Sequence, residues 1–109
     1  YLSAEQRQEA PWLYRRLTQT ANQLRQMLAD QSLSLEGIAQ LQGQAQAELK
    51  ARGWVPDYFA IRRQNDLKPL EQDDLLKGSQ GAERTHMVVL AAAQLGQTRL
   101  IDNLEVDVG

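Results

Sequence analysis

The 109-residue sequence contains no cysteine and a single histidine, His86. Without cysteine the chain can form neither a disulfide framework nor a thiolate site for metal or redox chemistry, so a cytoplasmic location is expected. A lone histidine favours a structural role over a metal site or a nucleophile–base pair, because both need partner side chains. These two absences remove many of the side chains on which metal and nucleophilic catalysis depend.

The chain also has little net charge and no long hydrophobic run. Its 12 basic and 14 acidic residues give a formal charge of −2, without the positive excess that binding to nucleic-acid phosphates requires. The longest apolar run, Met87 to Ala93, is far shorter than the roughly 20 residues of a membrane-spanning helix. We therefore expect neither a nucleic acid nor a membrane as a partner.

The beginning of the chain lacks the basic and then apolar pattern of a secretory signal. It starts with Tyr1 rather than methionine, which indicates excision or processing from a longer polypeptide. A chain of this length suits one domain that buries about two thirds of its unfolded surface. We expect a single domain over residues 1–109.

The first half of the chain has the pattern of helices. Ser3 and Gln6 match a capping box, which predicts a short helix to Ala10, and Pro11 suits the first turn of a second helix. Apolar residues recur at intervals of three and four along this second segment: Leu13, Leu17, Ala21, Leu24 and Leu28. The face opposite is polar and includes Arg15, Arg16, Gln19, Gln23 and Gln26. This spacing predicts an amphipathic helix from Pro11 to Asp30.

A third helix is predicted after the polar break that contains Ser32 and Ser34, either of which suits an N-cap. It runs to Arg52, and Gly53 stands where a terminating glycine belongs. The helices together occupy about residues 3–52. Gly37 and Gly43, within the third, each cost it about 1 kcal/mol relative to alanine, so the helix must draw stability from packing, or the glycines permit close approach to a neighbour.

The second half has the pattern of strands. Residues Tyr58 to Arg63 alternate as a strand does, with Phe59 and Ile61 on one side. The stretch from Met87 to Asn103 predicts a hairpin, because two apolar segments flank a connection in which Gly96 can adopt a positive φ. The expected fold is α+β, with helices packed on a small three-stranded antiparallel sheet over about residues 58–104.

The remaining segments are predicted to carry little structure. Residues 71–85 are polar and charged and are interpreted as a mobile surface loop, which Leu75 and Leu76 pin to the body or form into a single helical turn. The end, from Glu105 to Gly109, offers little to bury and is expected to fray.

Several residues invite a chemical interpretation, but none completes a catalytic or metal site. The acids Glu71, Asp73 and Asp74 lack the spacing of a calcium loop and are interpreted as solvated. The segment from Lys77 to Gly81 lacks the ending of a phosphate-binding loop. Trp12 and Trp54 are more typical of core anchors than of ligand platforms.

The only basic pairs are Arg15 with Arg16 and Arg62 with Arg63. One arginine of each pair is able to reach an anionic ligand, although a solvated face is the commoner role of such residues. The residues alone do not distinguish between these two roles.

Four segments, read together, resemble the C-terminal domain of the pantoate-beta-alanine ligase family, also called pantothenate synthetases. The segments are Tyr1-Leu2-Ser3-Ala4-Glu5-Gln6-Arg7, Ala10-Pro11-Trp12-Leu13-Tyr14, Asp57-Tyr58-Phe59-Ala60-Ile61-Arg62 and Leu95-Gly96-Gln97-Thr98-Arg99-Leu100-Ile101-Asp102-Asn103. Their order and spacing span nearly the whole chain, and the Arg-Leu-Ile-Asp-Asn ending is the most specific marker.

The resemblance implies the lid domain of an ATP- and Mg²⁺-dependent ligase that joins pantoate and beta-alanine through a pantoyl-adenylate. Its partner would be the nucleotide-binding domain of the same polypeptide, which carries the family's His-x-Gly-His and Ser-Ser-Arg-Asn segments upstream of Tyr1. No catalytic residue and no metal ligand would then lie in this chain, and the isolated domain would be inactive. Some relatives continue into a cytidylate kinase domain, so a fusion beyond Gly109 is possible.

Four arginines are the candidates to face the triphosphate or the other domain in that case: Arg15, Arg16, Arg62 and Arg84. The resemblance assigns none of them. The alternative is a free-standing interaction module, without catalytic activity, that uses an exposed apolar helix face or a sheet edge.

Overall fold

The computed structural model describes residues 2–72, 74–75 and 86–106. Helices come first in these ranges: α1 (Ala4–Glu9), α2 (Pro11–Ala29) and α3 (Leu35–Ala51). Strands follow: β1 (Val55–Arg63), β2 (Met87–Leu95) and β3 (Thr98–Val106). The strands form one antiparallel sheet in the order β1-β2-β3, and α2 and α3 pack against it. The predicted α+β fold is confirmed.

The predicted starts of α1 and α3 are confirmed by their capping bonds. The Ser3 hydroxyl accepts from the Gln6 backbone N–H, while the Gln6 side chain accepts from the Ser3 N–H, which completes the capping box. Ser34, rather than Ser32, caps α3 by accepting from the Gly37 N–H. These bonds satisfy N–H groups that a helix start otherwise leaves without a partner.

The glycines within α3 and at its end have different surroundings. Gly53 follows α3 with a φ of +91°, as a terminating glycine should. Around Gly43, by contrast, nothing lies within 4 Å of the position that a β-carbon would take, so the alternative of close approach fails there, whereas at Gly37 the Met27 side chain of α2 lies 4.0 Å from that position. The helix tolerates Gly43 because its other face is anchored by buried Leu41, Ala45 and Leu49.

The core lies between the helices and one face of the sheet. Phe59 and Ile61 of β1 point into it, as the alternation predicted, together with every second residue of β2. The apolar stripe of α2 packs over this face, and its buried members are Leu13, Leu17, Ala21 and Leu24. No helix among the described residues is long and apolar enough to cross a membrane.

The sheet is longer at both ends than the sequence pattern indicated. β1 begins at Val55 rather than Tyr58, because Pro56 is tolerated on an edge strand and a bulge follows it. Fraying was expected from Glu105 onward, but β3 runs to Val106, whose side chain is fully buried opposite Met87. The expectation was wrong for Glu105 and Val106, because Val106 closes one end of the core. Residues 107–109 lie outside the described residues.

Part of the predicted loop over residues 71–85 is attached to the domain. Asp74 is buried, accepts from the Glu71 N–H at 2.7 Å and lies 3.6 Å from the Arg63 guanidinium. Its interpretation as a solvated acid was therefore wrong, since it caps a turn. Leu75 packs against the core, as one interpretation proposed. Asp73, Leu76 and residues 77–85, with their predicted mobility, lie outside the described residues.

Candidate functional site

The fold separates the arginines that the sequence singled out. Arg15 and Arg16 project from α2 in different directions, Arg62 lies on the sheet, and Arg84 is outside the described residues. No single ligand-binding cluster is therefore formed by the three arginines whose positions are described.

Arg16 was predicted on the polar face of α2, and this placement was wrong. The residue is only 1% exposed, between α2 and α3. Its guanidinium lies 3.1 Å from a Glu48 carboxylate oxygen, donates to the Thr20 hydroxyl at 2.7 Å and lies 6.0 Å from the Phe59 ring centre. The charge can be buried because these groups compensate it. Amphipathic spacing alone could not reveal this arrangement, since Glu48 lies 32 residues away.

The other two described arginines remain closer to solvent. Arg15 is exposed on α2, beside a shallow groove that polar side chains of the same helix line, among them Thr18 and Gln19. Arg62 is half-buried on the sheet face opposite the helices and donates to the Leu67 carbonyl at 3.2 Å. Neither position shows convergent groups that define a phosphate site, so their roles stay predictions.

The other singled-out residues do not come together as a site. His86 is exposed immediately before β2, and its carbonyl accepts from the Gln64 N–H. The glycine-containing segment from Lys77 to Gly81 lies outside the described residues. Trp54 is buried and Trp12 half-buried, in agreement with their predicted structural role. Within the described ranges, no three His, Asp or Glu side chains are grouped so that they could hold a metal ion.

A cleft of about 360 Å³ lies where α1 and the start of α2 meet β3. We call it the N-terminal cleft and define it by the residues that line it: Leu2, Arg7, Ala10, Pro11, Leu13, Tyr14, Leu100, Ile101 and Asp102. Most of these side chains are apolar. Two of them are large and exposed, since Tyr14 is 50% and Ile101 62% accessible. The cleft is thus an apolar surface that the described chain leaves partly open.

α1 forms one wall of this cleft and is fixed to the rest of the domain at its last residue. The Glu9 carboxylate accepts two bonds from Arg52, at 2.7 and 2.8 Å, and one from the Trp54 indole N–H at 2.9 Å. Arg52 also lies 4.6 Å from the Trp12 ring centre, which is within the range of a cation–π contact. We call Glu9, Arg52, Trp54 and Trp12 the α1 clamp.

The clamp stabilises Glu9 in its charged form. The hydrogen bond from Arg52 lowers the pKa of Glu9, burial opposes this by raising it, and the bond from Trp54 lowers it further. A bidentate arginine–carboxylate pair also fixes orientation, because two parallel bonds define a plane. The clamp therefore sets the angle at which α1 leaves the domain.

A second contact fixes the beginning of α1. Gly96, in the hairpin turn, has a φ of +65°, and a β-carbon at this position would overlap the Gln6 side-chain amide. The absence of a side chain on Gly96 therefore lets the turn approach the same glutamine that completes the Ser3 capping box. The positive φ was expected from the sequence, whereas the contact with α1 was not, because 90 residues separate the two elements.

Sequence reasoning missed the α1 clamp because its members are distant in the chain. Glu9 lies 43 residues from Arg52 and 45 from Trp54, and a single acid at the end of a short helix carries no pattern. The only signal available was the tryptophan at position 54, which needs a partner for its N–H when buried.

The chain matches a known protein family over nearly its whole length. The model of the family described as pantoate-beta-alanine ligase matches residues 1–105, a range that includes all of the helices and nearly all of the sheet. The resemblance inferred from the four sequence segments is confirmed.

Proposed function

Since the chain belongs to the pantoate-beta-alanine ligase family, we propose that it is the C-terminal lid domain of a ligase that uses ATP to join pantoate and beta-alanine through a pantoyl-adenylate. The family match over residues 1–105 carries this proposal, because it covers the domain and not an isolated motif. In this role the domain contributes to pantothenate biosynthesis without supplying the reacting groups.

The proposed partner is the nucleotide-binding domain of the same polypeptide. The family resemblance places the principal binding residues for ATP, pantoate and beta-alanine in that partner domain, so we derive no chemical step from this chain. We expect the isolated chain to be inactive. The lack of cysteine supports a cytoplasmic site of action.

A lid acts by covering the substrate and excluding water. An acyl-adenylate is hydrolysable, so a closed cleft directs it to the amine instead of to water. This action requires a body that moves without deforming. The α1 clamp and the contact between Gly96 and Gln6 give the domain that property, since they fix α1 to the sheet and to α3.

Among the candidate arginines, Arg15 is the one that we propose for an approach to the triphosphate. It is exposed, whereas Arg16 is engaged with Glu48 and Thr20, and Arg62 is half-buried against the Leu67 carbonyl. Arg84 stays a prediction from the resemblance.

The proposal is tested by combining this chain with the separately prepared nucleotide-binding part. We expect pantothenate formation to appear or to increase when the two are mixed, and neither piece alone to match the mixture. The gene should also encode the His-x-Gly-His and Ser-Ser-Arg-Asn segments upstream of Tyr1. A gene without those segments would remove the basis for a lid.

The second candidate is a free-standing interaction module. The exposed Tyr14 and Ile101 at the N-terminal cleft favour it, because adjacent large apolar side chains are typical of surfaces that bind another protein. This candidate predicts a reading frame without an upstream nucleotide-binding domain, so the same gene sequence distinguishes the two.

A further inference from the structure

We propose that the N-terminal cleft is the surface through which this domain contacts the nucleotide-binding domain in the closed enzyme. This inference rests on the proposed function and adds to it which face of the lid contacts the nucleotide-binding domain. The occupant is a protein surface with an apolar side chain that enters the cleft beside Tyr14 and Ile101.

The covalent connection restricts where the partner domain can lie. The proposed function attaches that domain immediately before Tyr1, and the neighbouring Leu2 is half-buried, packs against the core and lines the cleft. A chain advances at most about 3.6 Å per residue, so the connecting segment starts within a few ångströms of the cleft wall. The cleft is therefore an apolar surface next to the point at which that domain would be attached.

The chemistry of the cleft suits a protein better than a nucleotide. Its charged members are Arg7 and Asp102, whose charges cancel, and the other lining residues are apolar apart from the Tyr14 hydroxyl. A triphosphate requires an excess of cations or a cradle of N–H groups. An apolar floor with one charge of each sign instead resembles a contact between domains, where polar groups surround an apolar centre.

The cleft is also held in shape before any partner arrives. Glu9 fixes the end of α1 through Arg52 and Trp54, and Gln6 fixes its beginning against Gly96. A surface ordered in advance loses little conformational freedom on binding, so a small contact is enough to favour closure.

The structure provides matched controls for a test. Ile101 and Val55 are both strand residues and are 62% and 60% exposed, while Tyr14 and Leu67 are 50% and 52% exposed. Only Ile101 and Tyr14 line the cleft. The cleft variant is Tyr14→Ser with Ile101→Thr, and the control variant is Leu67→Ser with Val55→Thr.

Both variants are made in the full-length ligase, and AMP release is measured relative to pantothenate formation. Because two buried apolar contacts are lost, we expect the cleft variant to release about tenfold more AMP per pantothenate. The reason is that a less closed lid admits water to the acyl-adenylate. We expect the control variant to keep the ratio of the unsubstituted enzyme. Thermal unfolding of both variants checks that they fold, and Tyr14→Ser alone, which leaves the strand intact, is the substitute if the cleft double variant does not.

Two results would overturn the inference: an unchanged ratio in the cleft variant, or an equal rise in the control. A ligase lacking residues 1–109 tests the proposed function separately. If this deletion leaves turnover and the AMP ratio unchanged, the lid itself is refuted. If the deletion raises AMP release while the cleft variant does not, the lid stands and another face of it makes the contact.

Discussion

The two edges of the sheet, β1 and β3, are covered by the rest of the domain to different extents. At β1, the side chains of α3 satisfy the outward backbone groups: the Ile61 N–H donates to Gln42 at 2.8 Å, and Gln46 donates to the Phe59 carbonyl at 3.4 Å. Because Gln42 and Gln46 are one helical turn apart and Phe59 and Ile61 are alternate strand residues, the two spacings match. An unpaired strand edge is thereby closed by the domain itself.

The far end of β1 is closed by the segment that follows it. The Arg63 N–H donates to the Lys68 carbonyl at 3.0 Å, and Arg62 and Pro69 form an isolated antiparallel β-bridge. At β3, Asp102 Oδ1 accepts from the Asn103 N–H, and the N-terminal cleft lies beside this strand. The β1 edge is thus completed within the chain, whereas the β3 side ends in an apolar surface that is still open.

This difference separates stability from function. Substitutions at the β1 edge should change the free energy of unfolding, because the bonds are internal. Substitutions that affect α1, on the β3 side, should also alter the cleft and with it the proposed contact to the partner domain. Substitutions on both sides test the stability part of this contrast, and they are taken from the largest expected effect to the smallest.

The largest effect is expected for Gly96→Ala on the β3 side. Alanine is strained at a positive φ, and its β-carbon would displace Gln6 from the capping box with Ser3. Together these costs should lower the free energy of unfolding by about 2–3 kcal/mol. Urea denaturation of the isolated domain measures the change.

Combining Gly96→Ala with Gln6→Ala separates the cost of backbone strain from the cost of displacing the Gln6 side chain. In that background no side-chain amide remains to be displaced, so Gly96→Ala should cost about 1 kcal/mol less than in the unsubstituted domain. Equal costs in both backgrounds would mean that the turn and α1 are not coupled.

A smaller loss is expected when the β1 edge is opened by Gln42→Ala. The Ile61 N–H then loses its acceptor, and an unsatisfied half-buried donor costs about 1–2 kcal/mol. Gln46→Ala should cost less, because its bond to the Phe59 carbonyl is long at 3.4 Å. The free energy of unfolding in urea is again the measurement.

Gln44→Ala is the matched control, since Gln44 is exposed on the same helix. Alanine is the better helix former, so this variant should be unchanged or slightly stabilised. If Gln42→Ala behaves like Gln44→Ala, the glutamines of α3 do not close the β1 edge.

Local features of both edges could be predicted from the sequence. The capping box at Ser3, the alternation of Phe59 and Ile61, and the positive φ of Gly96 each depend on residues close together in the chain. Their physical rules act over one or two turns of backbone, which is why the fold class and most element boundaries followed. The marker segments identified the family for the same reason, because each is contiguous.

Contacts between side chains that are distant in the sequence could not be predicted in this way. Arg16 resembled any polar residue of α2 until Glu48 on another helix was placed beside it. Glu9 and Arg52 likewise become partners only when α1 packs against the end of α3. Such pairs depend on tertiary packing, which a single sequence does not encode in any local period.

The smallest effect, and the one with a pH signature, is expected for Glu9→Gln in the α1 clamp. Arg52 and then Trp54 donate to the carboxylate, and since the net effect is a lowered pKa, the folded state prefers charged Glu9. The stabilisation is fully present above the unfolded pKa, which is about 4.3, and is lost as the pH falls through the lower folded pKa. Because Arg52 is partly exposed, the substitution should cost only about 0.5–1 kcal/mol at pH 7.

The difference between Glu9→Gln and the unsubstituted domain should therefore stay constant from neutral pH to about pH 5.5 and shrink below about pH 4. Urea denaturation across this range measures it, with Glu105→Gln on exposed β3 as the control. A difference that persists at low pH would contradict a stabilising role for the charge of Glu9.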